Sequence, residues 1–445
     1  MLLLMNHDRL GAYEVARLAP SLPEVHRSVT VPAGAGFWRK LVAFSGPGFL
    51  IAVGYMDPGN WATDIAGGSE FAYRLIFVLL ASNLMAILLQ SLAARLGIVT
   101  SRDLAQMCRE SYSRRTSFCL WIFAEIAIAA CDLAEVIGSA IALNLLFHIP
   151  LLVGVCLTAL DVLVILYLQH RGFRLLEVVV VTLIATIGIC YLLEILMVRP
   201  SIAGILQGFV PTPQILRNRD MLYIAVSMLG ATVMPHNLYL HSSLVQTRAI
   251  ERSPQGLRTA IRFNFVDLFL ALNFAFLINA AILVMAAGTF FRHGMRQMAE
   301  IQQAYHTLSP LLGIPLASFL FAVALLASGQ NSTLTGTLAG QVVMEGFLNI
   351  RLAPWLRRLI TRLLAIVPAI ITVALFGEGG TAKLLILSQV VLSLQLSFAV
   401  FPLVKFTCDR RKMGEFANAP WLRVLSWSVA WAIAALNAYL LVLMV

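Results

Sequence analysis

Apolar runs of about 20 residues recur from one end of this chain to the other, each long enough to cross a roughly 30 Å hydrocarbon core as a helix. A chain built this way folds as a bundle of spanning helices, because a helix satisfies its own backbone where no water is available. Two of the runs are interrupted. Asp57-Pro58-Gly59-Asn60 breaks the first and Met234-Pro235-His236-Asn237 the sixth, each with proline second and asparagine fourth. Proline removes a backbone donor and clashes with the turn before it, so the helix stops there. A break inside the bilayer strands polar backbone groups, which is tolerated only where they line a protein cavity or meet a ligand. Paired breaks in corresponding places of two halves point to the substrate site of a transporter.

Eleven spans are predicted, near 43–70, 73–96, 117–147, 150–168, 174–197, 220–248, 263–289, 310–344, 357–376, 381–407 and 421–444. The composition agrees: 60% of the 445 residues are apolar and only 12% charged. The net charge of +10 could suggest nucleic acid, but the cations alternate between loops. With the N-terminus inside, 25 of the 32 Lys and Arg fall on the inner side; the others are Arg74, Arg199, Arg217, Arg219, Arg292, Arg296 and Lys383. That is the positive-inside pattern, and it predicts a multi-pass protein of the plasma membrane with a cytoplasmic N-terminus and an external C-terminus. Six scattered Cys with no C-x-x-C pair read as reduced structural thiols.

Four spans lie between the two interrupted ones, the first and the sixth, so they run in opposite directions, as an inverted five-plus-five repeat requires. The predicted organisation is a cytoplasmic tail over 1–42, a first five-helix repeat over 43–197, an inverted second repeat over 198–407, and a linker with an eleventh helix over 408–445. The fold class is all-α and polytopic, with discontinuous first and sixth helices.

The broken segments carry the chemistry. Asp57 is a carboxylate in an apolar context, where a charge costs about 2.5–3.5 kcal/mol on insertion scales. It is read as a cation ligand able to exchange a proton for a metal ion; the plainer role is capping the half-helix that follows, for which Asn60 looks the better-placed residue. Met234 is the discriminating residue: a thioether disfavours calcium and magnesium and favours transition metals. The carbonyls of Gly54 and Ala231 lose helical partners at the breaks and can face the ion. Gln389, in the tenth span, is a further candidate oxygen ligand. His236 is read as a proton-handling or packing residue, since imidazole titrates near neutrality in water.

In the third span, Glu125, Asp132 and Glu135 share one helix face by their spacings of seven and three. Acids in a membrane helix need an aqueous path or basic partners, and Arg357 and Arg358 at the start of the ninth span are the expected partners. A proton route along this face is the functional reading; a structural salt-bridge network is the alternative. The small polar stretch Gly329–Gly340 of the eighth span reads as close helix packing.

The chain resembles the Nramp (natural resistance-associated macrophage protein) family of divalent-metal transporters, close to its bacterial manganese members. The resemblance rests on D-P-G-N at 57–60, M-P-H-N at 234–237, D-L-A-E at 132–135 and G-Q-N-S-T-L-T-G-T-L-A-G-Q-V-V-M-E-G-F at 329–347. It implies a LeuT-like fold and proton-coupled import of Mn2+, with Fe2+, Cd2+ and Co2+ as further substrates, by alternating access. It implies metal binding by Asp57, Asn60, Met234, the carbonyls of Gly54 and Ala231, and, in some conformations, Gln389. It implies roles in proton movement for Glu125, Asp132, Glu135, His236, Arg357 and Arg358. No cofactor, enzymatic activity, nucleic acid or obligate protein partner is expected; the chain is expected to act as a monomer in the bilayer.

Three other readings exist. A carrier of this architecture for an organic solute would bind carboxylates at half-helix N-termini, where Asp57 and Met234 are unfavourable. An intramembrane protease would need H-E-x-x-H, G-x-S-x-G or a paired-Asp motif, none of which is present. A passive metal channel could use the same ligands, and would differ in having no dependence on a proton gradient.

Overall fold

The computed structural model describes residues 20–31, 36–161, 173–296, 300–350, 353–376 and 380–444. Eight helices among these are long and apolar enough to cross a membrane, and three shorter apolar helices accompany them at Pro47–Met56, Leu151–Leu160 and Arg362–Leu375. Apart from helices, the described residues hold one two-residue parallel pairing, β1 (Val29–Thr30) with β2 (Arg248–Ala249).

In chain order, α1 (Phe37–Phe44) leads into a first crossing split into α2 (Pro47–Val53) and α3 (Pro58–Phe71). The return helix α4 (Ile76–Thr100) is joined by the short α5 (Leu104–Ser111) to α6 (Arg114–Phe147). Then come α7 (Leu151–Leu157) and α8 (Phe173–Val198); residues 162–168 of the predicted fourth span lie outside the described residues. The sixth crossing is split again, into α9 (Arg219–Thr232) and α10 (Pro235–Leu244). The remaining crossings are α11 (Pro254–Thr289), α12 (Leu316–Leu348), α13 (Pro354–Phe376), α14 (Thr381–Cys408) and, after the short α15 (Arg410–Met413), α16 (Pro420–Met444).

The split helices stand at the centre. α3 packs on α11, α9 on α14, and α10 on α4 and α12, while α6 runs along α12 and α14. Every residue from Ile224 to Arg248 is buried, as a helix enclosed on all sides by others must be. The last helix is the opposite case: Trp421, Val424, Trp431 and Val442 of α16 are all exposed, the surface a lipid-facing helix presents.

The end of the first crossing that precedes the break is fastened by charge. Asp267 of α11 accepts from the amides of Gly46 (3.3 Å) and Gly48 (2.7 Å) and from Ser45 Oγ (2.9 Å). It thus caps α2, which has no side-chain cap of its own, and satisfies donors that a helix N-terminus leaves open. Arg248 reaches the Ser45 carbonyl (2.5 Å) and pairs with Glu177 of α8 (2.8 Å). Arg174 pairs with the same Glu177 and donates to the carbonyls of Val42, Ala43 and Ser45.

Residues 20–31, assigned to the tail on sequence grounds, are packed against this same end of the bundle. The Leu22 amide donates to Glu345 Oε2 (3.1 Å), Gln341 Nε2 donates to Glu24 Oε1 (2.9 Å), and the Arg27 amide donates to the Gln246 carbonyl (3.0 Å). Leu22 itself is fully buried. The β1–β2 pairing continues this attachment onto the segment that follows α10.

Candidate metal site between the two broken helices

Each break is built the same way. Pro58 and Pro235 occupy the first turn of the helix that follows, where the missing N–H costs nothing. In a continuous helix the residue four positions later would donate to the carbonyl of Gly54 or of Ala231. Those residues are Pro58 and Pro235, which have no N–H to give. The two carbonyls expected to face an ion are therefore the two that lose their helical donors. A third freed carbonyl, Met56, is taken up by Ser328 Oγ of α12 and by Trp61 Nε1.

The caps correct one expectation. Asp57, not Asn60, is the N-cap: its Oδ1 accepts from the Asn60 amide at 2.8 Å. The helix starts one proline earlier than expected, which puts Asn60 in the first turn. Only one carboxylate oxygen is used this way, and Oδ2 is buried with no hydrogen-bond partner. At the second break Met234 holds the N-cap position without a side-chain cap. Its Sδ instead receives Asn237 Nδ2 at 3.7 Å. Asn237 belongs to the motif but was not singled out as a site residue; its correspondence to Asn60 was the available signal.

The two breaks face one another. A Cβ on Gly54 would come within 3.0 Å of Met234 Sδ and would overlap the Asn237 amide. A Cβ on Gly59 would overlap the Gln389 side-chain amide, and one on Gly230 would run into the Gln389 carbonyl. Gln389 of α14 therefore closes the gap between the residue after Pro58 and the residue before Ala231. A side chain at 54 or 59 would have to displace Asn237 and Met234, or Gln389, from these approaches. Asp57, Asn60, Ala231, Met234 and Gln389 are each no more than 1% exposed. Besides Asp57 Oδ2, the side-chain oxygens of Asn60, Asn237 and Gln389 are buried without a donor. These four buried oxygens without donors, with the Met234 thioether, gather lone pairs at the two breaks that suit a cation. On the α6 side, Ala127 and Cys131 pack with Met234 and Leu392.

The acids of α6 fall into two groups. Glu125 is partly exposed and accepts from Trp121 Nε1 at 3.1 Å. Asp132 and Glu135 are fully buried and converge on α12, where a Cβ on Gly336 would lie 2.8 Å from Glu135 Oε1 and 3.3 Å from Asp132 Oδ1. Glu135 also accepts from Ser332 Oγ (2.8 Å). Its basic partner is Arg362, at 3.4 Å, which continues to Asp161 (3.1 Å) and Thr333 Oγ1 (3.1 Å). Asp57 lies within electrostatic reach of Glu135, and buried His236 within reach of Asp132.

Arg362 was missed as a partner of these acids. The expected partners, Arg357 and Arg358, stand on α13, but their side chains lie outside the described residues. Arg362 sits four and five residues deeper in the apolar stretch, and the packing of α13 beside α6 and α12 brings it to Glu135. The small polar run of α12 packs closely, as expected, and makes side-chain hydrogen bonds: Ser332 donates to Glu135, and Thr333 accepts from Arg362.

A family model described as natural resistance-associated macrophage protein-like matches residues 48–443. The chain is 63% identical over 422 residues to the divalent metal cation transporter MntH of Nostoc sp., covering 95% of this chain and 96% of that one. It is 42% identical to the manganese transporter of Eremococcus coleocola, whose crystal structure with an aromatic bis-isothiourea substituted compound superposes with a TM-score of 0.87, covering 94% of this chain and 90% of that one. The inward-facing conformation of Mhp1, a LeuT-fold transporter, matches at a TM-score of 0.57 and 12% identity over 94% of this chain and 90% of that one, a likeness of fold alone.

Proposed function

Because this chain belongs to the Nramp family, a family of LeuT-fold membrane transporters rather than enzymes, we propose that it carries divalent transition-metal ions, manganese foremost, across the membrane in symport with protons. The observation that carries this reading is the set of buried oxygens without donors, beside the Met234 thioether, at the two breaks. Asp57 Oδ2, Asn60 Oδ1, Gln389 Oε1 and the carbonyls of Gly54 and Ala231 supply oxygen, and Met234 Sδ supplies the soft ligand that favours manganese, iron, cobalt or cadmium over calcium and magnesium. The helix ends add to this. The C-termini of α2 and α9, with their free carbonyls, favour a cation, and Asp57 offsets the positive N-terminus of α3.

Transport proceeds by alternating access, with the half-helices moving against the remaining crossings. Asp57 links metal to proton: its free oxygen binds one or the other, and Glu135, Arg362 and Asp161 continue from it as a chain of charged groups on α6, α13 and the end of the α7 segment. His236 and Asp132 flank that chain, with Glu125 at its partly exposed end; Arg357 and Arg358 are the proposed further contributors on α13. The two repeats run over 43–197 and 198–407, with 408–445 as the added segment. The protein sits in the plasma membrane with the N-terminus cytoplasmic and works as a monomer without a cofactor.

The test is uptake into liposomes, with manganese outside and a pH-sensitive dye inside, in the presence and absence of excess calcium. Manganese entry that acidifies the lumen and resists calcium is expected. Entry without proton movement would leave a uniporter or channel, and no entry by folded protein would overturn the metal assignment.

A further inference from the structure

A second site lies far from the breaks. Where α14, α15 and α16 meet the end of α5, there is a cavity of about 530 Å³, within the range of small-ligand sites. Lys405, Lys412 and Arg423 line it against one carboxylate, Asp409. That carboxylate is engaged, since Asp409 caps α15 and accepts from the Arg411 amide at 2.8 Å. Lys412 Nζ donates one of its hydrogens to Ser111 Oγ at 2.8 Å and lies 5.4 Å from the Phe406 ring centre. Lys405 Nζ lies 4.8 Å from the centre of the Tyr112 ring. The Arg423 guanidinium has no hydrogen-bond or ion-pair partner among the described residues. The cavity is thus a net-positive concavity with donors to spare.

Its surroundings name the ligand class. Trp427 lines the same cavity, and beside it Trp421, Val424 and Leu425 of α16 are 68%, 67% and 44% exposed. Cations, an interfacial tryptophan and lipid-facing aliphatics on one helix end are what a headgroup boundary selects, and basic pockets between spanning helices suit phosphate headgroups. A soluble anion would have no use for the apolar rim. We propose that this cavity binds the phosphate headgroup of an anionic membrane lipid, held by Lys405, Lys412 and Arg423, with its acyl chains along α16. The site lies about 24 Å along α14 from Gln389 at the helical rise, so it is distinct from the metal site.

The experiment is native mass spectrometry of the purified full-length protein titrated with phosphatidylglycerol, phosphatidylcholine and, separately, inorganic phosphate. Preferential retention of phosphatidylglycerol is expected, falling about fivefold for each cation removed, the attraction of one Lys or Arg to an anionic leaflet. The K405Q/K412Q/R423Q variant should lose the preference, the single R423Q should lower it, and R410Q/R411Q, on the same short helix but outside the cavity lining, should leave it intact. Equal retention of the two lipids would overturn the proposal, and so would an equal loss in R410Q/R411Q, which would mean diffuse attraction. Competition by inorganic phosphate as effective as the lipid would replace a lipid site with a free-anion site.

Discussion

The two breaks share a backbone device and differ in what they do with it. Both put proline in the first helical turn and asparagine fourth, and both free a carbonyl four residues before the proline. At the first break the N-cap is a carboxylate already engaged by its own helix, leaving one oxygen over. At the second the same position holds a neutral thioether, which receives the Asn237 side-chain amide. The flanking segments differ as well. Asp267 fastens the start of α2, and Arg248 and Arg174 fasten the end of α1 and the link into α2, whereas α9 and α10 are held by burial over Ile224–Leu244. Charge and an ionic fastening gather at the first break, and a thioether in a tightly enclosed helix at the second. The shared proline position thus leaves the contrast to one side chain at each break, a carboxylate at Asp57 and a thioether at Met234; under the proposed function coupling falls to the first and selectivity to the second.

The largest expected effect tests the charge. Asp57→Ala should lower manganese uptake at least about a hundredfold, the scale of removing one partner from a buried charge pair. Asp57→Asn should lose uptake equally while keeping its thermal midpoint, because Asn caps a helix as well as Asp does. Normal transport by Asp57→Asn would reduce Asp57 to a cap and erase the contrast. Next in size is the fastening. Asp267→Ala strands buried amides at Gly46 and Gly48, each worth about 1–3 kcal/mol, so the thermal midpoint of the purified protein should fall. An unchanged midpoint would show that α2 is held no differently from α9. Met234→Ala should retain manganese uptake to within about tenfold, one neutral contact being lost, but calcium should now compete. Continued rejection of calcium would remove selectivity from the second break. The smallest change is expected for Gln389→Ala, about a threefold rise in KM for manganese, measured by uptake at graded concentrations.

Much of this was legible from residues alone, since its causes are local. Hydropathy marks a crossing wherever it occurs, and among the described residues eight helices are long and apolar enough to cross, with three shorter apolar helices beside them. Proline breaks a helix by its own chemistry, so both breaks and both freed carbonyls could be located from Pro58 and Pro235. The cap was misjudged by three positions, between Asp57 and Asn60, because proline at the first turn moves the helix start forward. The partner of Glu135 was not legible. Arg357, Arg358 and Arg362 lie within six residues, and which of them meets an acid depends on how α13 packs against α6 and α12. The attachment of residues 20–31 was equally invisible, since their partners Gln246, Gln341 and Glu345 are more than 200 residues away.

The sequence by itself determined the membrane class, the two breaks and the residue types at each, because hydropathy and helix termination belong to single residues or to runs of neighbours. Only the tertiary structure decided that Gly54 faces Met234, that Gln389 fills the space over Gly59, and that Arg362 answers Glu135. Those are distances between helices far apart in the chain, set by close packing, which leaves room for a side chain at one glycine and none at the next.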